Sequence, residues 1–199
     1  AWAGRAGRSG AVLHRPRAEW QAFSLRRPGT SRRCRRGIIA ADVNRVHPAD
    51  ETHAALAQRL RRHTRGEVLF DAASRGRYAT DASIYQIEPV GVFVPRDETD
   101  VETALAAARE LKVPVLPRGA GTSQCGQTTG AALVIDHATH LRRVLEIDAA
   151  NRRAVVQPGL VLDDLNAQLR PHGLWFPVDV STSAQATLGG MAGNNSCGS

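Results

Sequence analysis

Residues 117–126 read Pro-Arg-Gly-Ala-Gly-Thr-Ser-Gln-Cys-Gly, and they decide how the rest of the sequence is interpreted. They close an apolar run, Val113 to Pro117, that predicts a short strand. Glycines two positions apart let the backbone turn tightly and point several N–H groups into one concavity, which suits a phosphate or diphosphate. Taken alone, an ordinary glycine-rich turn explains this stretch about equally well.

Two established nucleotide-binding motifs do not fit this stretch. A Rossmann fingerprint, G-x-G-x-x-G, opens a helix, whereas here Gln124 stands in the position of the third glycine and the chain continues through Gly130 into another predicted strand. A Walker A loop needs Gly-Lys-Ser/Thr, which the sequence lacks. Both of these nucleotide-binding classes are therefore excluded.

A second stretch with similar chemistry spans residues 177–198. Over 22 positions it concentrates glycine, alanine, hydroxyl side chains and asparagine amides. Small residues let a flat ligand lie against the backbone, and the polar side chains can bind its edges. A flexible Gly/Ser loop is the alternative, but two such stretches at the ends of short strands favour a binding site.

The order of predicted elements is that of an α+β domain. An amphipathic helix is predicted over 48–64, and residues 66–85 are interpreted as irregular. Further along, strands are predicted at 91–94, 113–117, 131–135, 141–147, 154–157 and 174–176, and helices at 101–111 and 160–169. The unit 91–117 predicts two parallel strands joined by a right-handed helical crossover. Because the sequence stops within the second stretch, we expect the natural polypeptide to continue beyond Ser199.

The net charge of +7 comes from one end of the chain. Residues 1–38 hold ten arginines and one acidic residue, giving +9, whereas residues 39–199 hold sixteen basic and eighteen acidic residues, giving −2. We interpret 1–38 as a disordered Arg-rich tail, 39–84 as a helical or irregular lead-in and 85–199 as the main domain. An organellar transit peptide and a nucleic-acid-binding arm remain alternatives for the tail.

The sequence contains no pattern typical of a membrane-spanning helix or of a cysteine metal site. No apolar run approaches the roughly 18 to 20 residues of a spanning helix, and no secretory signal opens the chain. The three cysteines, Cys34, Cys125 and Cys197, form no CxxC pair, so neither a metal site nor a disulfide framework is predicted. We expect a cytoplasmic protein without a transmembrane segment, and we leave peripheral association with the inner membrane open.

From about Tyr78 onward the sequence resembles the PCMH-type FAD-binding domain of the vanillyl-alcohol oxidase superfamily. The resemblance covers roughly 60% of the chain and, because it consists of four motifs in the family's order, it is specific. The motifs are residues 115–123, 133–136, 155–159 and 186–198. The stretch 78–85 and the Asn-Asn-Ser-Cys-Gly ending are most similar to the large bacterial FAD-linked oxidases, which carry an iron–sulfur region at their C-terminal end.

The resemblance implies a set of cofactor-binding residues. The first stretch would hold the FAD diphosphate and the second would line the flavin and its ribityl chain. The implied residues are Arg118, Gly119, Ala120, Gly121, Thr122, Ser123, Gln124, Asp179, Ser183, Thr187, Gly189, Gly190, Asn194, Ser196 and Gly198. Arg118 could equally form a structural ion pair, and Asp179 could cap a turn.

Some relatives tether the flavin through a histidine or a cysteine. Cys125 and Cys197 lie in the two stretches, but we interpret both as small buried thiols. We interpret the histidines His137, His140 and His172 as surface residues, because they lie near the ends of predicted strands or helices. No catalytic residue is predicted, because the cap domain that supplies substrate-binding side chains in the family is missing from this sequence.

By resemblance, the fold is a PCMH-type FAD-binding domain with two α/β subdomains, the second incomplete. The implied function of the full protein is a flavin-dependent dehydrogenase that oxidises a D-2-hydroxy acid of the lactate, glycolate or 2-hydroxyglutarate class by hydride transfer to FAD. The expected partners are this small organic acid and an electron acceptor not identified by the sequence, but not nucleic acid. An iron–sulfur cluster would belong to the part beyond Ser199, and the fragment alone is expected to be inactive.

Two other function classes stay open at this point. An FAD-dependent reductase of the cell-wall precursor type, such as UDP-N-acetylenolpyruvoylglucosamine reductase, shares the implied fold. A non-catalytic protein that binds nucleic acid through the basic tail is the second alternative, and steep salt dependence of binding would identify it.

Overall fold

The computed structural model describes residues 48–196, so the predicted tail at 1–38 lies outside the described residues, as do Cys197 and Gly198. Five α-helices and six strands are present in this part of the chain. In chain order they are α1 (Pro48–His63), β1 (Glu67–Leu69), α2 (Ala72–Tyr78), β2 (Gly91–Val94), α3 (Glu98–Glu110), β3 (Val115–Arg118), β4 (Leu133–Asp136), β5 (Val144–Asp148), β6 (Arg153–Val156), α4 (Leu162–Leu169) and α5 (Leu188–Gly193), with a short 3₁₀ turn at Arg170–His172.

Four strands form one sheet in the order β1-β2-β4-β3. The strands β2, β4 and β3 are parallel, and β1 pairs with β2 in the antiparallel direction. The predicted parallel strands β2 and β3 therefore share a sheet but are not neighbours, because β4 lies between them. All four residues of β4 are buried, which suits a central strand, whereas Pro117 has no N–H to donate and suits the edge position of β3.

The two faces of the sheet carry different cores, because alternate residues of a strand point to opposite sides. On one face α1 and α3 cover the strands, and the small residues of α3 let it approach closely. This cluster contains Leu56, Leu60, Phe93, Ala104, Ala107, Ala108, Leu133 and Ile135. On the other face Val92, Val94 and Val134 pack with Tyr78 and Leu116. Complete burial of a side chain such as Phe93 stabilises the fold by about 1.5–3 kcal/mol.

The interpretation of residues 66–85 as irregular was wrong for β1 and α2. Both elements are too short to show a clear hydrophobic period: three residues in β1 and seven in α2. The helix α2 is defined instead by its cap, since the Asp71 carboxylate accepts the Ser74 N–H at 2.8 Å. The described part of the predicted lead-in, residues 48–84, thus contributes an edge strand and two helices to the same fold.

The predicted hairpin and the helix that follows it form the second part of the structure. The strands β5 and β6 pair in the antiparallel direction, and α4 packs on them through Leu160, Leu165 and Leu169. The strand predicted at 174–176 is absent from the described residues, because the Asn166 side chain accepts the Phe176 N–H at 2.8 Å and fixes that segment without a partner strand. In residues 48–196 no helix combines the length and apolar character needed to cross a membrane.

Candidate functional site

An open cleft of about 1090 Å³ lies at the carboxyl ends of β3 and β4, the edge at which parallel sheets commonly bind ligands. We call residues 117–128 the first loop and residues 177–196 the second loop. The cleft lies between them, and its volume is at the upper end of the range typical of ligand sites. Thirteen predicted site residues line it: Arg118, Gly119, Ala120, Gly121, Thr122, Ser123, Gln124, Asp179, Thr187, Gly189, Gly190, Asn194 and Ser196.

The two remaining predicted site residues are Ser183 and Gly198. Ser183 does not line the cleft, because its backbone belongs to a turn that is tied to α4: the Ser183 carbonyl accepts the Asp163 N–H at 3.2 Å. Gly198 lies outside the described residues. The sequence showed Ser183 only as one hydroxyl among many in a polar stretch, and it gave no sign of this turn.

The two loops are in direct contact at Gly119. A side chain at this position would overlap the Thr187 hydroxyl, so only glycine lets β3 pass so close to the second loop. Gly121, two residues on, has φ of +71°, in the left-handed region that favours glycine. The spacing of these glycines therefore has two separate causes, a close approach and a backbone turn.

The first loop presents a row of unpaired backbone donors. Within residues 48–196, no acceptor takes a hydrogen bond from the N–H groups of residues 120–124. Backbone N–H groups in a folded protein are almost always paired with protein, water or ligand. Consecutive free donors beside a glycine with positive φ form a concavity suited to an anion such as a diphosphate.

Arg118 supports the first loop from behind. Its Nη1 donates to the carbonyl oxygens of Tyr78 at 3.2 Å and Thr128 at 3.3 Å, and its guanidinium carbon lies 5.2 Å from the centre of the Tyr78 ring. A side chain on Gly121 would come within 2.6 Å of its Nη2. Besides the two roles considered for Arg118, the structure shows a third: Arg118 is a brace that joins α2 to both ends of the first loop.

Tyr78 connects this brace to the end of β4. Its hydroxyl donates to the buried Asp136 carboxylate at 2.6 Å, and that carboxylate also accepts the Ala138 N–H at 2.7 Å and the Thr139 hydroxyl at 3.2 Å. Burial, together with the adjacent Asp136 charge, raises the pKa of Tyr78, so its phenol remains protonated at neutral pH. The ends of α2, β3 and β4 are therefore held as one unit.

A second clamp follows Tyr78 in sequence. The Asp81 carboxylate accepts the Thr128 N–H at 3.3 Å and the Thr128 hydroxyl at 3.0 Å, and the Ala82 N–H donates to the Gly121 carbonyl at 3.0 Å. Partial burial opposes the charge on Asp81, but the hydrogen bonds from Ser83 and Thr128 outweigh it and lower the pKa of this carboxyl. The loop is thus fixed at both its middle and its end.

The second loop contributes differently, because its helix α5 is already capped. The Thr187 hydroxyl accepts the Gly190 N–H at 3.2 Å, and the Leu188 and Gly189 N–H groups donate to carbonyls of residues 160 and 158, each at 2.8 Å. A side chain on Gly189 would come within 2.7 Å of Pro158. Gly189 is therefore explained by packing, and the second loop forms one wall of the cleft.

Sequence reasoning missed His137, which lines the cleft, and it misplaced Cys125, which is exposed on the first loop and not buried. His137 directly follows the carboxyl end of the central strand, and that position was the signal that could have identified it. His140 is also partly buried, where it contacts Glu67 at 3.3 Å, whereas His172 is exposed as predicted.

Comparison with known proteins agrees with this geometry. A family model described as an FAD binding domain matches residues 89–199. D-2-hydroxyglutarate dehydrogenase from Pseudomonas putida is 42% identical over 137 residues, which cover 67% of this chain and 14% of that protein. Glycolate oxidase subunit GlcD from Bacillus subtilis is 38% identical over 134 residues, which cover 65% of this chain and 28% of that protein. The chain therefore spans only a small part of these relatives.

Solved structures share the fold at lower identity. An alkyldihydroxyacetonephosphate synthase superimposes with a TM-score of 0.57 at 22% identity, over 62% of this chain and 26% of that one. A variant of BBE-like 1 from Physcomitrella patens superimposes with a TM-score of 0.59 at 20% identity, over 69% of this chain and 30% of that one. With more than half of its residues matched by the family model, the chain belongs to the PCMH-type FAD-binding domain family.

Proposed function

We propose that the cleft holds FAD and that the chain is the cofactor-binding portion of a dehydrogenase for a small 2-hydroxy acid. The observation that carries this proposal is the row of unpaired N–H groups at residues 120–124, in a family whose cofactor is FAD. The bound flavin would supply the redox chemistry, accepting hydride from the acid and later releasing electrons to an acceptor. The chain's own residues supply position and hydrogen bonds.

In this proposal the two loops divide the cofactor between them. The N–H groups of Ala120 to Gln124 donate to the diphosphate, with the Thr122 hydroxyl as a further donor. The Ser123 hydroxyl is already engaged, since it donates to the Gln127 side chain at 2.7 Å and accepts the Cys125 N–H at 3.2 Å. The small residues of the second loop leave room for the flat flavin, and Asn194 and Ser196 offer polar groups along its edge.

The substrate class comes from the relatives. The names of the Pseudomonas putida and Bacillus subtilis proteins refer to D-2-hydroxyglutarate and glycolate, which are both 2-hydroxy acids. We propose that this chain serves the same class of reaction in the cytoplasm. We assign no substrate-binding or catalytic residue within 48–196, because in this proposal the cleft holds the cofactor and no described side chain is identified as a contact of the acid.

The first test is binding of FAD to the complete product of the gene. We expect the fluorescence of free FAD to change on titration with protein, and the purified complex to show flavin absorption bands near about 370 and 450 nm. A folded chain that leaves both signals unchanged at saturating FAD would contradict the cofactor assignment.

The second test addresses the substrate and uses the complete product of the gene. We expect anaerobic addition of a D-2-hydroxy acid to bleach the band near about 450 nm, while the L-enantiomer leaves it in place. D-lactate, glycolate and D-2-hydroxyglutarate are compared at equal concentration. A flavin that is bound but is bleached by none of these acids would refute the substrate class and leave the cofactor assignment intact.

A further inference from the structure

His137 stands where the central strand meets the cleft. In the register of β3 and β4, Arg118 is opposite Asp136, so the next pair along is Gly119 and His137. Neighbouring strands are about 4.8 Å apart, which places His137 beside Gly119 in the first loop. The His137 N–H donates to the Arg118 carbonyl at 3.0 Å, and this bond fixes the backbone there.

The other side of the His137 backbone is also held closely. A side chain at Gly159 would overlap the His137 carbonyl oxygen, so the turn after β6 can approach only because residue 159 is a glycine. His137 therefore has little freedom to move away from the cleft wall. A backbone that is fixed before a ligand arrives lowers the entropic cost of binding.

The imidazole of His137 has no hydrogen-bond partner in the described part of the chain. Its Nδ1 is buried and unpaired, and its Nε2, which no described residue bonds either, remains accessible. An N–H buried without an acceptor is rarer than an unpaired acceptor, so the ring proton belongs on the accessible Nε2.

We infer that His137 is a further cofactor-binding residue, whose Nε2–H donates to an oxygen of the FAD diphosphate. This inference rests on the proposed function, since it requires FAD in the cleft. It adds a side-chain donor to a loop that otherwise offers mainly backbone N–H groups. Among the described residues lining the cleft, the charged groups are Arg118 and the exposed Asp179. Arg118 already donates to two carbonyl oxygens, so a neutral donor at His137 can bind a diphosphate oxygen without disturbing those hydrogen bonds.

The ring can play this role as a neutral imidazole. Burial lowers the pKa of His137 below its ordinary value of 6.5, and the charge of Asp136 opposes this only in part. At pH 7 and above the neutral form therefore dominates. The contribution of His137 to FAD affinity should then be the same at pH 7 and at pH 8.5, provided that the flanking Asp136, Arg118 and Asp179 keep their charges.

The test compares three substitutions at this position in the complete product of the gene. The His137→Gln variant keeps an amide donor near the place of Nε2, whereas His137→Asn keeps one near Nδ1 and His137→Leu keeps none. We expect the Leu and Asn variants to bind FAD about tenfold to a hundredfold more weakly, and the Gln variant to recover most of the affinity. His172→Leu, a change at an exposed histidine outside the cleft, is the matched control and should bind as the wild type does.

Two further measurements separate a cofactor contact from a structural role. Because the Leu variant removes an unpaired buried nitrogen, its FAD-free melting temperature should equal or exceed that of the wild type. Competition by ADP, which shares the diphosphate, should weaken in this variant, while competition by riboflavin should not.

The outcomes distinguish this inference from the proposed function. If the wild type and the Leu variant bind FAD equally well, the role of His137 is overturned and the proposed function stands. The same holds if the Gln variant does not recover FAD affinity and the Leu variant has a lower FAD-free melting temperature than the wild type. If the folded wild type does not bind FAD, the proposed function fails, and this inference fails with it.

Discussion

The first and second loops look alike in sequence but differ in what their glycines do. In the first loop, Gly119 and Gly121 allow a close approach and a left-handed turn, and the N–H groups that follow have no partner among the described residues. In the second loop, Gly189 packs against Pro158 and the N–H groups at the start of α5 are already bonded. Glycine content alone therefore does not show which loop can donate hydrogen bonds to a diphosphate; the pairing state of the backbone amides does.

Amide hydrogen exchange tests this difference most directly and should show the largest effect. A bonded N–H exchanges only when its bond opens, whereas a free and accessible one exchanges quickly. In the FAD-free chain we expect residues 120–124 to exchange fast and residues 188–191 to be protected. With FAD at about 100 times its Kd, exchange of residues 120–124 should slow by about a hundredfold.

The same experiment can also contradict the proposed difference between the two loops. Because the amides at the start of α5 are already bonded, FAD should slow their exchange by much less than it slows that of the first loop. If residues 188–191 gain more protection than residues 120–124, the second loop, and not the first, supplies the main donors. Mass spectrometry of peptides that cover each loop separately provides the measurement.

The contact between the loops is tested by Gly119→Ala. The added methyl group would overlap the Thr187 hydroxyl, so the loops must separate, and overpacking of this kind costs about 1–3 kcal/mol of stability. We expect FAD affinity to fall at least about tenfold in a fluorescence titration, because the donors of the first loop and the wall of the second no longer align.

The matched control for this substitution is Gly76→Ala in α2. Apart from the adjacent residues and the backbone of α2, no atom would lie within 4 Å of a Cβ there, and alanine in a helix is favoured over glycine by about 0.5–1 kcal/mol. This variant should melt at the same or a higher temperature and keep its FAD affinity. Equal affinities for the two variants would show that the contact of Gly119 with Thr187 does not shape the site.

Much of this architecture could be predicted from local sequence, but the details of the site could not. The strands β2 and β4 are continuous apolar runs, and α4 shows its leucines at helical spacing, so all three were identified. The helix α5 was missed because three of its six residues are glycine, and it is stabilised instead by the Thr187 cap and by burial of Met191. Features of this kind depend on tertiary contacts.

The support of the first loop was also hidden from the sequence. Tyr78 and Asp136 are 58 residues apart, and nothing local shows that a phenol, a carboxylate and a guanidinium meet at the ends of α2, β4 and β3. Arg118 was therefore considered as a cofactor ligand or an ion-pair partner, and its contacts with two carbonyl oxygens were not anticipated. His137 was interpreted as a surface residue for the same reason: the burial of its Nδ1 depends on neighbours distant in sequence.

The smallest expected effect concerns the clamp at Asp81, which fixes the first loop but has no counterpart in the second. Its hydrogen bonds with Ser83 and Thr128 hold its pKa below the ordinary 3.8, so its contribution to stability is complete above that value and is lost as the pH falls through the folded-state pKa. Asp81→Asn should therefore lower the free energy of unfolding by about 1 kcal/mol at pH 7, and by progressively less as the pH falls toward about 3. Urea denaturation across this range measures the difference.

The control, Asp179→Asn, changes an exposed carboxylate whose side chain has no hydrogen bond with another described residue, so its difference from the wild type should stay small at every pH. A difference for Asp81→Asn that does not change with pH would show that the Asp81 charge does not hold the loop.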